Sequence, residues 1–297
     1  MKKIDLHIHS TFSDGKFTPT QIIDTAKINN VKYISITDHD SIKAYTKETI
    51  EHAKTKGITL IKGVEISTKF LNKGIHILGY NIDINNKDLL NNLSLLENSR
   101  INYFLEVSAR LNELGYTINK DKLLTLPTIT KAHIALDIIE NPTNKNLLLE
   151  TFSHIPSKGE FIETLMNEGC IAYVEKFSIS AKKASQIIKG ANGKVVLAHP
   201  VAYIHEDNST KEEIQSLIEE IKPDGIEAYY LYVDKNNTLH DEISFWKEFA
   251  QKNNLFSTIG SDFHAIDNIR PQIGFTNTNV EISEEDLNIL IKKVIKH

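Results

Sequence analysis

Histidine recurs at two-residue spacing where the first apolar run ends, in Asp5-Leu6-His7-Ile8-His9-Ser10. In an extended strand alternate side chains share a face, so both imidazoles can be directed at one metal ion. Two histidines on a strand entering a polar cleft are also compatible with plain hydrogen bonding, and the rest of the chain separates the two readings. Thr37-Asp38-His39-Asp40 follows Tyr33-Ile34-Ser35-Ile36, Glu65 follows Leu60-Ile61-Lys62-Gly63-Val64, and His76 sits in Gly74-Ile75-His76-Ile77-Leu78. Late in the chain Lys194-Val195-Val196-Leu197-Ala198 runs into His199, and Ser257-Thr258-Ile259-Gly260-Ser261 runs into Asp262-Phe263-His264. Chance does not readily place six such clusters at the ends of strand-like runs, and together they point to a metal-dependent hydrolase. Imidazole and carboxylate donors suit zinc, manganese or iron as divalent ions.

The elements that must carry these residues read as α/β. The first eighty residues alternate short apolar runs with helical segments, the pattern of βαβ units and a parallel sheet. A first helix is expected near Thr18-Pro19-Thr20, burying Ile22, Ile23 and Ala26, and a second from about residue 41 to 56, stopped by Gly57. Further strands are expected around 75–80, 194–198, 225–229 and 256–260. Residues 88–114, closed by Gly115, and the segments 130–139, 144–152 and 158–168 have helical spacing. They form an inserted helical lid over 86–170, returning through Ala172-Tyr173-Val174 to a barrel made of 1–85 and 171–297. A closing helix is expected from Glu284. Barrel enzymes place their chemistry at the carboxyl ends of the strands, where the six clusters lie.

Composition narrows the class. At 40% hydrophobic and 25% charged residues the chain is an ordinary globular one. No apolar run approaches the roughly 20 residues that span a bilayer, so no membrane association is expected. Met1-Lys2-Lys3 passes directly to Ile4 without a signal-like segment, and Cys170 is the only cysteine, so a cytoplasmic location is expected and thiolate ligation is not. The net charge of -5 argues against long nucleic acid as the main partner, while leaving a small phosphorylated substrate open.

The clusters resemble, in order and wording, the motifs of the PHP family, the polymerase and histidinol phosphatase hydrolases. The resemblance covers nearly the whole chain through His7-Ile8-His9-Ser10, Ser13-Asp14-Gly15, Thr37-Asp38-His39-Asp40, Gly63-Val64-Glu65, Ala198-His199-Pro200 and Gly260-Ser261-Asp262-Phe263-His264. It implies an irregular seven-stranded (β/α) barrel and three divalent ions. One would be held by His7, His9, Glu65 and Asp262, a second by Glu65, His76 and His199, and a third by Asp14, His39 and His264. Glu65 would bridge, and a hydroxide between metals would attack phosphorus. The Ser-Asp-Gly wording is most similar to stand-alone members that hydrolyse phosphate esters of nucleotides.

The same resemblance places His133 and Lys131 at an Arg-x-His signature of the lid, with His133 contacting substrate or donating a proton to the leaving group. A histidine merely packed on a helix is nearly as good a reading. Lysine at 131 lacks the bidentate fork of the usual arginine. Lys176 matches a recurrent lysine of related sequences, and Arg270, close in sequence to His264, is a candidate phosphate contact ranked above Arg100 and Arg110. Tyr229, Tyr230 and Tyr232 can stack on a base or simply pack. His52, His154, His205, His240 and His297 match no motif and are expected at the surface. The leading function is hydrolysis of a nucleoside 3′,5′-bisphosphate or a 5′-terminal nucleotide. Histidinol-phosphate hydrolysis is the alternative, with a zinc amidohydrolase and a non-catalytic metal-binding domain behind it. Neither the oligomeric state nor the metal's identity is specified by these residues.

Overall fold

A computed structural model describes residues 4–175, 177–234, 236–266, 272–274 and 281–295. The strands are β1 (Ile4–Ile8), β2 (Tyr33–Ile36), β3 (Thr59–Phe70), β4 (Lys73–Tyr80), β5 (Ile179–Ser180), β6 (Lys194–Leu197), β7 (Gly225–Tyr229), β8 (Leu231–Val233), β9 (Leu239–Asp241) and β10 (Phe256–Ile259). Seven of them pair in the order β1-β2-β3-β4-β6-β7-β10, β5 adds to β3, and β8 and β9 form a separate hairpin. Beyond β10, Phe263 bridges to Ile8 and accepts a hydrogen bond from the His9 amide at 2.9 Å, which brings the last strand back to the first. The result is a nearly closed, irregular seven-stranded barrel in a mixed α/β fold.

The irregularity lies in β4. The pairs β1–β2, β2–β3, β6–β7 and β7–β10 are parallel, but β4 runs antiparallel to both β3 and β6, against the parallel arrangement expected for the first eighty residues. The cause is local: β3 and β4 are joined by a two-residue turn, Leu71-Asn72, with φ of 48° and 63°. A turn with positive φ at both central residues closes a tight hairpin and leaves no room for a crossover helix.

The first helix, α1 (Pro19–Ile28), has the expected cap: the Thr18 hydroxyl accepts from the Gln21 amide, the Gln21 side chain accepts from the Thr18 amide, and Ile22, Ile23 and Ala26 are buried. The second, α2 (Lys47–Lys56), starts six residues later than expected. Residues 41–46 are diverted because Tyr45 is buried, its hydroxyl 2.6 and 2.9 Å from the carbonyls of Ile36 and Ile61 while accepting from the Gly63 amide at 2.7 Å. Gly57 ends α2 in the left-handed region, φ 71°, as expected of a C-terminal glycine.

The chain divides into two compact units, Met1–Leu93 with Ile179–His297, and Ser94–Ser178. Helix α3 (Lys87–Glu113) begins in the first, and α4 (Lys120–Leu124), α5 (Lys131–Glu140), α6 (Lys145–Phe152) and α7 (Lys158–Leu165) belong to the second. The second unit has a core of its own around Phe104, Leu111, Ile134, Leu148 and Phe161, in which Ala172 and Val174 are also buried. In the first unit α8 (Ala181–Gly190), α9 (Pro200–His205), α10 (Lys211–Ile221), α11 (Ile243–Lys252) and α12 (Glu284–Leu290) complete the helices. One of its hydrophobic clusters joins Ile8, Ile34 and Ile36 of the strands to Ile22 and Ile23 of α1 and to Phe263. Among the described residues no helix is long and apolar enough to cross a membrane.

Candidate metal centre

The barrel end at which the parallel strands finish supplies the site. His7 lies in β1 and His9 just beyond it, His39 follows β2, Glu65 lies within β3, His199 follows β6, and Asp262 and His264 follow β10. His76 sits in the first half of β4, and the reversed direction of that strand brings it opposite Ser67 on β3, at the end of the barrel where the parallel strands finish. Asp14 comes from the turn after β1. All nine residues expected from the sequence fall into four overlapping groups of donor atoms, each group within 4.8 Å: His9, Asp14, His39 and His264; His7, His9 and Asp262; His7, Glu65 and His199; His39, Glu65 and His76.

Glu65 is the hub. Its Oε1 lies 3.4 Å from His7 Nε2, 3.1 Å from His76 Nδ1 and 3.2 Å from His199 Nε2, and its Oε2 lies 3.2 Å from His9 Nε2 and 2.9 Å from His39 Nδ1. Asp262 Oδ1 is 3.4 Å from His7 Nε2 and 3.1 Å from His9 Nε2, and Asp14 Oδ1 is 3.3 Å from His264 Nε2.

These residues fit divalent ions on two grounds. Among the described residues Glu65 Oε2, His39 Nδ1, Asp14 Oδ1 and His199 Nδ1 are buried yet make no aligned hydrogen bond, although Glu65 Oε2 and His39 Nδ1 are only 2.9 Å apart. Buried polar atoms are ordinarily satisfied, and donors that crowd without pointing at one another are arranged to point at something between them. The electrostatics agree. Burial works to lower the pKa of His7, but Glu227, Glu65 and Asp262 outweigh it and hold His7 well above the usual imidazole range. Burial likewise opposes His9, yet contacts with Asp262 and Glu65 raise it to about 10. Against their own burial, Glu65 is held well below the carboxylate range by His39, His76 and His7, and Asp262 by His7 and His264. His39 goes the other way, lowered by burial. The buried carboxylates favour positive charge in their midst, which protons or cations can provide.

The backbone around the site is shaped for it. His199 and Asp262 hold φ of 22° and 51°, a region that side-chain-bearing residues seldom adopt, and such strain persists where surrounding contacts over-determine it. Gly15 has no room for a side chain, since a Cβ there would stand 2.2 Å from the His9 carbonyl oxygen. Asp38, buried, accepts from the Ser10 amide at 2.7 Å, the Ser10 hydroxyl at 2.7 Å and the Ser13 hydroxyl at 2.6 Å, so Ser13 fixes the turn that presents Asp14. The sequence pattern gives Asp38 no task and does not single out Glu227, a buried carboxylate on β7. In the sequence it shows only as the one charged residue of the strand Gly225-Ile226-Glu227-Ala228-Tyr229, which does not tell a buried glutamate from an exposed one.

A cleft beside the cluster is lined by His39, Glu65, His76, His199, Tyr230 and Tyr232, among others. Tyr230 donates to Asp262 Oδ2 at 2.9 Å and Tyr232 to Glu206 Oε2 at 3.2 Å. Tyr229 is packing, donating to Asp286 at 2.6 Å and accepting from the Ser283 amide. His205 and His240, expected at the surface, instead stack at 3.7 Å, each against a carboxylate, Glu242 and Asp234. His52 and His154 pair with Asp24 and Glu160. In the second unit His133 stands at the third position of α5, its Nδ1 accepting from the Thr130 amide at 3.3 Å, and Lys131 donates to Asn167 at 3.0 Å. Arg110 of the same unit donates to the Tyr173 carbonyl. Lys176, Arg270 and His297 lie outside the described residues.

A nearly closed barrel that gathers imidazoles and carboxylates at one end defines a metal-dependent hydrolase. Residues 5–225 match the family model of the PHP domain, and the chain belongs to that family. Over 268 residues it is 30% identical to a 5′-3′ exoribonuclease of Haemophilus influenzae, covering 89% of this chain and 90% of that protein. It is 27% identical to a 3′,5′-nucleoside bisphosphate phosphatase of Chromobacterium violaceum over 269 residues, 89% of this chain and 88% of the other. A solved structure from Chromobacterium violaceum, described as an amidohydrolase with bound sulfate and no metal, superposes with a TM-score of 0.73 at 26% identity, covering 95% of this chain and 92% of that one. The protein is a metal-dependent phosphoesterase of PHP type, a hydrolase acting on phosphoester bonds.

Proposed function

We propose that this phosphoesterase removes phosphate from a small nucleotide, a nucleoside 3′,5′-bisphosphate or the 5′-terminal nucleotide of a short RNA. The observation that carries the reading is the Glu65-centred cluster opening on a cleft edged by Tyr230 and Tyr232, in a chain whose relatives are named for these two substrate types. Three divalent ions, manganese, zinc or iron, would be held by His7, His9, Glu65 and Asp262, by Glu65, His76 and His199, and by Asp14, His39 and His264. Bound ions of this kind polarise phosphoryl oxygens and bring water to a nucleophilic state near neutral pH.

The chain's own residues supply position. Glu65 and Asp262 hold negative charge at the base of the cleft, so an anionic phosphoryl group is accepted only with cations present. The ring of Tyr232 offers a face for a base, and Tyr230, anchored on Asp262, edges the sugar side. His133 is the proposed proton donor to the leaving group, with Lys131, Lys176 and Arg270 as phosphate contacts. The assignments of His133, Lys131 and Lys176 rest on correspondence with the family's pattern, and that of Arg270 on its closeness in sequence to His264.

Phosphate release by the manganese-loaded protein, run in parallel on adenosine 3′,5′-bisphosphate, AMP, a short 5′-phosphorylated RNA and histidinol phosphate, tests the reading. Preference for the bisphosphate or the RNA is expected. Preference for histidinol phosphate would retain the metal chemistry and overturn the substrate.

A further inference from the structure

Glu227 belongs to no donor group around Glu65, yet it is buried in β7 directly behind His7. Both its oxygens lie 3.1 Å from His7 Nδ1, and Oε2 also accepts from the His199 backbone amide at 2.9 Å. On the other side of the same ring, His7 Nε2 faces Glu65 Oε1 and Asp262 Oδ1, each at 3.4 Å. The packing reserves this place: a Cβ on Gly260 would stand 2.3 Å from Glu227 Oε1 and 2.3 Å from His7 Cβ, so the glycine leaves the carboxylate and the imidazole in contact.

We infer that Glu227 is a positioning residue of the metal centre, one that fixes His7 as the Nδ1–H tautomer with Nε2 turned inward and at the same time pins the strained backbone of His199. The inference rests on the reading of His7 as a metal ligand. A neutral imidazole carries one proton, and a carboxylate at Nδ1 holds it there, leaving the Nε2 lone pair for the ion. Because the same carboxylate accepts the amide of His199, where φ is 22°, one side chain sets a ligand on β1 and the ligand loop after β6 together. Glutamine at 227 would keep the volume but turn an NH2 group toward either the His199 amide or the His7 Nδ1–H, placing donor against donor.

The test uses zinc as the probe and the full chain. In zinc-loaded wild-type protein labelled with 15N-histidine, the His7 ring, assigned by its loss in His7→Asn, should show a protonated Nδ1 and a zinc-bound Nε2. Competition with a chromophoric chelator should show zinc affinity lowered by roughly 10–100-fold in Glu227→Gln. Zinc on His7 Nδ1, or wild-type affinity in Glu227→Gln, would overturn the inference while leaving the metal centre intact. Wild-type protein that takes up no zinc would overturn the reading of His7 as a ligand and this inference with it. The tautomer is read in the wild type, so the inference stays testable if Glu227→Gln fails to fold.

Discussion

Among single residues, Glu65 carries most of the metal centre. Five imidazoles surround its two oxygens at 2.9–3.4 Å, so the side chain is shared by more of the cluster than any other. Glu65→Gln keeps the shape and removes the charge; phosphate release should fall by more than about 100-fold, beyond the usual cost of losing an outer partner. Lys54→Ala, which removes only an exposed pair with Glu51, should change neither activity nor stability beyond about 0.5 kcal/mol. The ligand types were legible in the sequence because histidine and carboxylate are conspicuous where an apolar strand ends. Glu227 was not legible for the opposite reason: a single glutamate in a short strand reads as a surface residue until the ring it touches, 220 positions away, is known.

Elements make that convergence possible, and their joints can be tested. Tyr45 ties the ends of β2 and β3 through one buried hydroxyl. Tyr45→Phe leaves the Gly63 amide without that partner and should cost about 1–3 kcal/mol in urea unfolding. Helix α12 is held by Asp286, which accepts from Tyr229 and Ser283 and pairs with Lys247 at 3.3 Å. Burial opposes ionisation of Asp286, but Tyr229, Ser283 and Lys247 outweigh it and lower its pKa. A carboxyl lowered on folding stabilises fully above its unfolded value, about 3.9, and loses that contribution as pH falls through the folded value. The stability gap between wild type and Asp286→Asn should therefore be widest above about pH 4 and narrow below it; a gap constant from pH 6 to pH 2.5 would contradict the pairing. Helix positions were readable from caps and periodicity, as at Thr18 and Gly57. The direction of β4 was not, because a strand's own residues do not say which way it runs; the two positive-φ residues of its turn decide that. The late start of α2 was hidden likewise, since only tertiary packing makes Tyr45 a buried linker.

For the whole molecule, divalent ions stabilise the folded state to the extent that they bind it more tightly than the unfolded chain. Binding at 100 times the dissociation constant adds about 2.7 kcal/mol to unfolding stability, so thermal unfolding should shift upward on loading and return on chelation. Absence of a shift would mean that the cluster holds no ion in the folded protein. The most direct measurement is phosphate release from adenosine 3′,5′-bisphosphate by one preparation assayed as loaded with manganese, after complete chelation, and after manganese is returned. Activity that vanishes with the metal and comes back with it is the predicted result. Undiminished turnover by protein shown to be metal-free would contradict the metal-dependent mechanism, however well the nine side chains converge.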